Sequence, residues 1–244
     1  MLNILCVRWG DKYDHTYVDK LLKQVKNNCS VPFKFYCLTD NPQTDYDIPL
    51  PNIWDKHYIP ERNAFWAYRK CYMFNEMHFP QIGGDNFLYL DLDILIHQDL
   101  KYFNDLPYGK PYIVRGWWND IENCRKNFGK IKSTPLNSSV IKWNRGELLR
   151  VYNDIEKNAE VIFFTYPTID NYFNHAWYNP WKEDEGYLRG YPKGDIYSWY
   201  KGNVFPDDMD AWKLRKDHKI CLFNNSANGG DEHMYDIAEL DHLW

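Results

Sequence analysis

The sequence predicts an α/β fold: a single domain over residues 1–244, with a central mixed sheet flanked by helices. Three observations carry the prediction. Over the first ninety-odd residues, short apolar runs alternate with stretches of helical spacing, in the order strand, helix, strand, helix, strand. That order is the pattern of a parallel sheet with crossover helices, in which ligands sit at the carboxyl ends of the strands. Hydrophobic residues are 44% of the chain and charged residues 26%, so a core can form and general disorder is excluded. No repeat, low-complexity tract or linker divides the chain.

Taken in order, residues 3–7 are a short apolar run that reads as a buried strand, broken at Trp9-Gly10-Asp11. Tyr17, Val18, Leu21, Leu22 and Val25 then recur at helical spacing, with Asp14 or Thr16 able to cap. Residues 33–38 read as a second strand, ended by Thr39-Asp40-Asn41-Pro42. The proline-rich segment 45–60 reads as loop, and residues 63–77 as a helix. Gly83-Gly84 turns the chain into a third strand over 87–90. Strands follow at 112–115 and 139–143, a helix over 146–157 with Asn144 as its cap, and a short helix over 167–176. Residues 178–210 lose all periodicity, as functional loop regions or disordered segments do. A last apolar strand spans 219–223.

Composition narrows the function classes. The net charge of −5 argues against sequence-independent nucleic-acid binding, which needs a basic face. No run approaches the length of a membrane span. The opening MLNILCVRWGDKYD lacks a basic start and a cleavage site, so no signal peptide is read and a cytoplasmic location is expected. None of the six cysteines forms a CxxC pair, and Cys6, Cys37 and Cys221 lie in apolar runs; buried reduced thiols are expected. Aromatic residues reach 18%. Their faces suit sugars and nucleobases, but an A/T-rich coding sequence produces the same excess, so this number decides nothing.

The informative stretch is Asp91-Leu92-Asp93, with four apolar or aromatic residues before it and three apolar residues after it. Two other Asp-x-Asp triplets, at Asp45/Asp47 and Asp208/Asp210, stand among loop residues near proline. On an extended chain, side chains two apart share a face. Asp91 and Asp93 would then meet at the end of a buried strand, where desolvation and like charge both penalise ionisation. Mn²⁺ or Mg²⁺, which prefer oxygen ligands, would relieve that penalty; the plain alternative is a strand end with both acids solvated. Glycosyl transfer from a nucleotide sugar uses such a pair. A phosphatase with Asp91 as nucleophile is disfavoured, because its acids normally follow the first strand and precede Gly or Thr. A polymerase-β-type nucleotidyltransferase is disfavoured because Gly83-Gly84 lies too close to Asp91 for an intervening helix.

With these residues the chain resembles the metal-dependent glycosyltransferases of the GT-A fold, most of all family 8, which includes glycogenin, the lipopolysaccharide galactosyltransferases and small microbial and viral relatives. The resemblance covers nearly the whole chain as a series of short motifs. It implies a nucleotide-binding half over 1–100 and a sugar and acceptor half over 101–244. It implies Tyr13 stacking on the donor uracil, with Arg8 and Trp9 on the same edge, and Lys70 of Arg69-Lys70 reaching donor phosphate or sugar. Trp9 and Tyr13 packing the first helix, and a solvated Lys70, are the plain alternatives.

In the same resemblance Asp91 and Asp93 hold the metal, and Asn137 and Ser138 let the chain pass close to the donor sugar. As a glycosylation sequon, Asn137-Ser138-Ser139 has no secretory context. Asp170 and Asn171 stand at the family's Asp-Gln, close to the reacting carbon, with Asp170 orienting sugar hydroxyls or steadying the developing oxocarbenium charge; a helix cap or first-turn acid is its alternative role. The family's third metal ligand, a His, is replaced by Leu222, and a following Lys by Asn228. His218, Asn224 or His233 would substitute, or water would complete the shell. The implied donor is a uridine diphosphate sugar and the implied acceptor a glycan, lipid or protein. A binding protein of the same fold that has lost catalysis is the competing reading.

Overall fold

The computed structural model describes residues 1–57, 65–130, 134–205, 211–224, 237, 240 and 243, with the backbone alone at 65 and 66. The first strand, β1 (Leu2–Arg8), is buried along its whole length. It takes parallel neighbours on both sides, so neither edge nor face meets water. Helix α1 (His15–Asn27) begins where Asp14 accepts a hydrogen bond from the Thr16 N–H at 2.9 Å. Its buried side is Val18, Leu21, Gln24 and Val25. Next come β2 (Phe33–Thr39) and β3 (Asp47–Pro49). The segment read as plain loop therefore holds a short strand, because Ile48 buries against the core once β3 pairs with β2.

The helix expected over 63–77 is mostly absent among the described residues. Only α2 (Phe65–Tyr68) is α-helical; 3₁₀ turns follow at Arg69–Phe74 and Glu76–His78. All six residues of the first turn are buried, so no solvated face gives an α-helix its usual one-sided pattern. The chain then runs through β4 (Asn86–Leu90), β5 (Ile94–Ile96), α3 (Lys101–Asn104), β6 (Tyr112–Arg115), α4 (Ile121–Lys126) and β7 (Leu136–Asn144). Helix α5 (Leu149–Thr165) starts later than expected, and Asn158, at φ −126° and ψ 20°, kinks it just past the expected end at 157. Gly146 has φ of 81°, outside helical space, and Asn144 is the last residue of β7, where its N–H is taken by the Glu147 carboxylate. Thr168 caps α6 (Ile169–Ala176). The irregular segment after it contributes β8 (Arg189–Gly190) and β9 (Ile196–Ser198), and β10 (Ile220–Leu222) follows.

The main sheet has the order β3-β2-β1-β4-β7-β6-β8. It is mixed: β1 is parallel to β2 and β4, whereas β7 is antiparallel to β4 and β6. From β1 the chain builds outward through β2 and β3 on one side, and β4 returns on the other. That makes the carboxyl ends of β1 and β4 a topological switch point, the crevice where open α/β sheets hold ligands. A second sheet, β5-β10-β9, stands beside it. Asp91-Leu92-Asp93 is the link between the two sheets. Gln24 of α1 fixes the start of the second sheet, accepting from the Ile96 N–H at 2.8 Å and donating to the Ile94 carbonyl.

Apolar clusters cover both faces of the main sheet. Stacked rings anchor one of them: Trp54 on Tyr72 at 4.2 Å, and Phe87 on Trp143 at 5.3 Å. Cys6, Cys37 and Cys221 are buried and unbonded to sulfur, as their apolar surroundings predict. Among the described residues, no helix is long and apolar enough to cross a membrane.

Candidate functional site

A cavity of about 230 Å³ opens at the β1–β4 rim, bounded by Trp9, Lys12, Tyr13, Lys70, Asp91 and Asp93. Asp91 and Asp93 do reach one space, although β4 ends before them and a bend rather than a continuous strand carries Asp93. Asp91 is pinned by its N–H to the Ser139 carbonyl at 2.8 Å. Its carboxylate accepts from the Tyr89 hydroxyl and faces the Lys70 ammonium, at 2.7 Å from Oδ1 and 2.9 Å from Oδ2. Lys70 is buried and lies 3.4 Å from the Ser138 carbonyl and hydroxyl. The neighbouring Arg69 turns the other way, to Asp55 at 3.0 Å. Consecutive residues on a 3₁₀ turn diverge by about 120°, which sends these two cations to different carboxylates.

Asp93 accepts from the Tyr13 hydroxyl at 3.1 Å. Burial holds the Asp93 carboxyl above the ordinary carboxylate range, and the Asp91 charge pushes it the same way; Lys70 and the Tyr13 hydrogen bond oppose. Burial, then the charges of Asp93 and Asp91, raises the Tyr13 hydroxyl in turn. The Tyr13 ring already has Lys12 over it at 5.2 Å and Tyr17 edge-on at 4.9 Å. Trp9 is the aromatic that borders both this cavity and a shallower one of about 340 Å³ formed with Gly10, Asp40 and Arg69. Arg8 is not brought to either: its guanidinium donates to the Asn41 carbonyl at 2.9 Å and it lines neither space.

A further cavity, about 360 Å³, holds Asn137, Asp170 and Asn171. Lys70, which lines the first cavity, and Ser138 both act on Asp170 of this one. Burial raises the Asp170 carboxyl; Lys70 and hydrogen bonds from Ser138 oppose, and the Asp91 charge adds to the rise. Asp170 Oδ1 is buried without a hydrogen-bond partner among the described residues. Thr168, not Asp170, is the cap of α6. Asn171 accepts from the Thr168 hydroxyl at 2.8 Å, which ties its side chain to that cap.

The third-ligand alternatives divide cleanly. Leu222 is 1% exposed and packed in the core. Because β10 runs antiparallel to β5, His218 falls beside His97, at the end of β5 away from Asp93, with its Nδ1 at Asp217. Asn224 lies at the near end, one residue past Phe223, whose N–H donates to the Asp93 carbonyl at 3.3 Å. Its Oδ1 is buried without a partner among the described residues, and it lines the 360 Å³ cavity. His233, Asn228 and the Asp208/Asp210 triplet lie outside the described residues. The Asp45/Asp47 triplet is structural: Asp47 accepts from the Gln43 and Thr44 N–H groups and meets His15.

Sequence reasoning missed the Tyr89 and Tyr13 hydroxyls that seat the two acids, and the contributions of Trp118 and Lys201; Asn224 it named only as a substitute metal ligand. Tyr89 was findable, since it stands two residues before Asp91 on the same strand face. The others come from distant segments and left no local signal.

No protein-family model matches the sequence, and no curated relative is similar to it. Solved structures do match. A glycosyltransferase involved in glycosylation of the major capsid of PBCV-1 superposes with a TM-score of 0.54 at 15% identity, covering 93% of this chain and 94% of that one. The galactosyltransferase LgtC, in complex with donor and acceptor sugar analogues, gives 0.59 at 14%, covering 99% and 94%. Mouse xyloside xylosyltransferase 1 gives 0.53 at 11%, covering 93% and 98%. At such identities the likeness is one of architecture: a seven-stranded mixed sheet flanked by helices, which gives this chain the GT-A fold of these glycosyltransferases.

Proposed function

We propose that the chain is a glycosyltransferase. It would move a sugar from a nucleoside diphosphate donor, a uridine diphosphate sugar, to an acceptor hydroxyl with retention at the anomeric carbon, using Mn²⁺ or Mg²⁺ held by Asp91 and Asp93. The observation that carries this reading is the cavity at the switch point, where two acids and Lys70 converge on one space.

The residues fit a hard divalent cation. Asp93 is held above its ordinary range by burial and by Asp91, so a cation between them relieves a repulsion that Lys70 only partly offsets. Among the described residues no cluster of three His, Cys, Asp or Glu is present. Two carboxylates with phosphate and water completing the shell suit Mg²⁺ or Mn²⁺. Bound there, such an ion supplies charge neutralisation for a diphosphate leaving group.

The chain's own groups do the rest. Lys70 and Lys12 bring positive charge to the wall where a diphosphate would lie, and Lys70 stabilises the negative charge that grows on it as the anomeric C–O bond breaks. The Tyr13 and Tyr89 hydroxyls hold the two carboxylates in place before donor arrives. Trp9, bordering both rim cavities, takes the stacking role on the nucleobase that the resemblance gave to Tyr13. Asp170 Oδ1 accepts from hydroxyls of the donor sugar.

One observation favours a second reading, a nucleotide-sugar-binding protein without catalysis: Leu222 stands buried where the resemblance expects a ligand. A phosphatase would need Asp91 as the attacking nucleophile, whereas such acids normally follow the first strand and Asp91 follows β4. A thermal-shift panel of nucleotide sugars with and without Mn²⁺ tests the proposal. A uridine diphosphate sugar should raise the midpoint only with Mn²⁺, and Asp93→Asn should abolish that rise. Survival of the rise in the variant overturns the site. Binding without any donor hydrolysis favours the second reading, and turnover of a generic phosphate monoester favours the phosphatase.

A further inference from the structure

Lys70 faces a competition that the rest of the rim does not. It lies on the 3₁₀ turn over Arg69–Phe74 and is buried. Its ammonium stands 2.7 Å from Oδ1 and 2.9 Å from Oδ2 of Asp91, so one cation engages both oxygens of that carboxylate. Oδ1 also accepts from the Tyr89 hydroxyl. The other contacts of the ammonium are longer: the Ser138 carbonyl and hydroxyl at 3.4 Å each, and the Tyr89 ring at 5.2 Å. Asp91 is thus its strongest partner among the described residues.

A divalent cation would draw on the same carboxylate. Placed against Asp91, it meets the Lys70 charge at short range in a buried site, where repulsion is screened little. The surroundings offer little to offset that repulsion. Leu222 is apolar and packed in the core, and among the described residues no group of three His, Cys, Asp or Glu surrounds the acids. A diphosphate changes the balance, because its oxygens can take the ammonium in place of Asp91. Lys70 itself lines the 230 Å³ cavity, so its head has only to turn on a flexible four-carbon stem to reach an anion there.

We infer that the Lys70–Asp91 ion pair is a latch. It keeps Asp91 from a divalent cation in the free chain and opens when a nucleoside diphosphate draws the ammonium away, so that cation and nucleotide each bind tightly only with the other. The inference rests on the transferase reading above and deepens it. The exchange swaps ion pairs and makes or breaks no covalent bond. Linkage makes it reciprocal: the factor by which the nucleotide tightens the cation is the factor by which the cation tightens the nucleotide.

A nucleotide that simply ligates the cation would tighten it in every variant, so the free chain is the diagnostic state. Mn²⁺ binding to the full chain is titrated by loss of the free-ion electron paramagnetic resonance signal, without and with uridine diphosphate. Free wild type should hold Mn²⁺ weakly, and the nucleotide should tighten it about fiftyfold. Free Lys70→Met should hold Mn²⁺ about tenfold more tightly than free wild type and gain correspondingly less from the nucleotide. Lys70→Arg keeps a cation on Asp91, and Lys12→Met removes one that borders the same cavity over the Tyr13 ring. Each should move free-chain affinity less than about threefold.

Unchanged free-chain affinity in Lys70→Met overturns the latch and leaves the transferase reading standing. An equal gain in Lys12→Met also overturns it, since that is an effect of overall charge. Should Lys70→Met fail to fold, the thermal midpoint of the wild type decides. Mn²⁺ alone should leave it unmoved and Mn²⁺ with uridine diphosphate should raise it; an equal rise with Mn²⁺ alone overturns the latch. Absence of Mn²⁺ retention in every chain, with and without the nucleotide, overturns the metal site of the transferase reading and the inference with it.

Discussion

The rim cavity and the cavity beyond Asp170 are built on opposite hydrogen-bonding plans. At the rim, both carboxylates have hydrogen-bond partners before any ligand arrives: Lys70 faces Asp91, Tyr89 donates to Asp91, and Tyr13 donates to Asp93. In the rear cavity, Asp170 Oδ1 and Asn224 Oδ1 are buried with no partner among the described residues. A matched network rigidifies a site and adds to stability, whereas an unmatched one costs stability and is held in place by the surrounding fold. Lys70 connects the two, since it touches Asp91 and Ser138 and lowers the Asp170 carboxyl. The contrast assigns different roles: the rim fixes charge for a diphosphate, and the rear cavity keeps hydrogen-bonding capacity for sugar hydroxyls.

The largest effect should come from breaking the matched network. Asp91→Ala leaves Lys70 buried without its carboxylate, so donor turnover should fall at least about a thousandfold. Stability should drop on the order of 3 kcal/mol, read by denaturant titration. The rear cavity should respond with the opposite sign. Asp170→Asn should reduce transfer by about a hundredfold while raising the thermal midpoint at neutral pH, because it removes a carboxyl that burial disfavours. A loss of stability there would erase the contrast.

Tyr13→Phe should have a milder effect. Without that hydroxyl, Asp93 rises further, and Mn²⁺ affinity near pH 6 should fall about tenfold by titration. The pH dependence has a definite sign. Asp93 and Asp170 bind protons more tightly folded than unfolded, so below the ordinary carboxylate value of 3.8 both states are protonated and their stabilising contribution is complete. It is lost as pH rises through their raised native values. Metal binding runs the other way, weakening as pH falls through the Asp93 value; Asp93→Asn should flatten both trends. The smallest functional effect is expected from Gln24→Leu, which unpairs the Ile96 N–H and the Ile94 carbonyl. It should cost about 2 kcal/mol of stability and move donor KM little.

The same two regions differ in how legible they were. Asp91 and Asp93 were readable because the rim acids follow an apolar strand at a two-residue spacing, and the strand–helix alternation of the first half located the parallel strands that make the crevice. Residues 69–74 were misread as α-helix because full burial removes the polar face that sets a helical period. The helix expected from residue 146 was displaced to Leu149 by the turn at Gly146. In the rear cavity, Trp118, Asn123, Lys201 and Asn224 meet only after β6, α4, β7 and β10 have taken their places. No local pattern announces such a meeting, so only the folded chain reveals it.

Loss of the free Mn²⁺ signal in electron paramagnetic resonance, titrated in the presence of uridine diphosphate, tests the central claim most directly. The account predicts one tightly held ion per wild-type chain and none for Asp93→Asn. Equal retention of the ion by wild type and variant would contradict it.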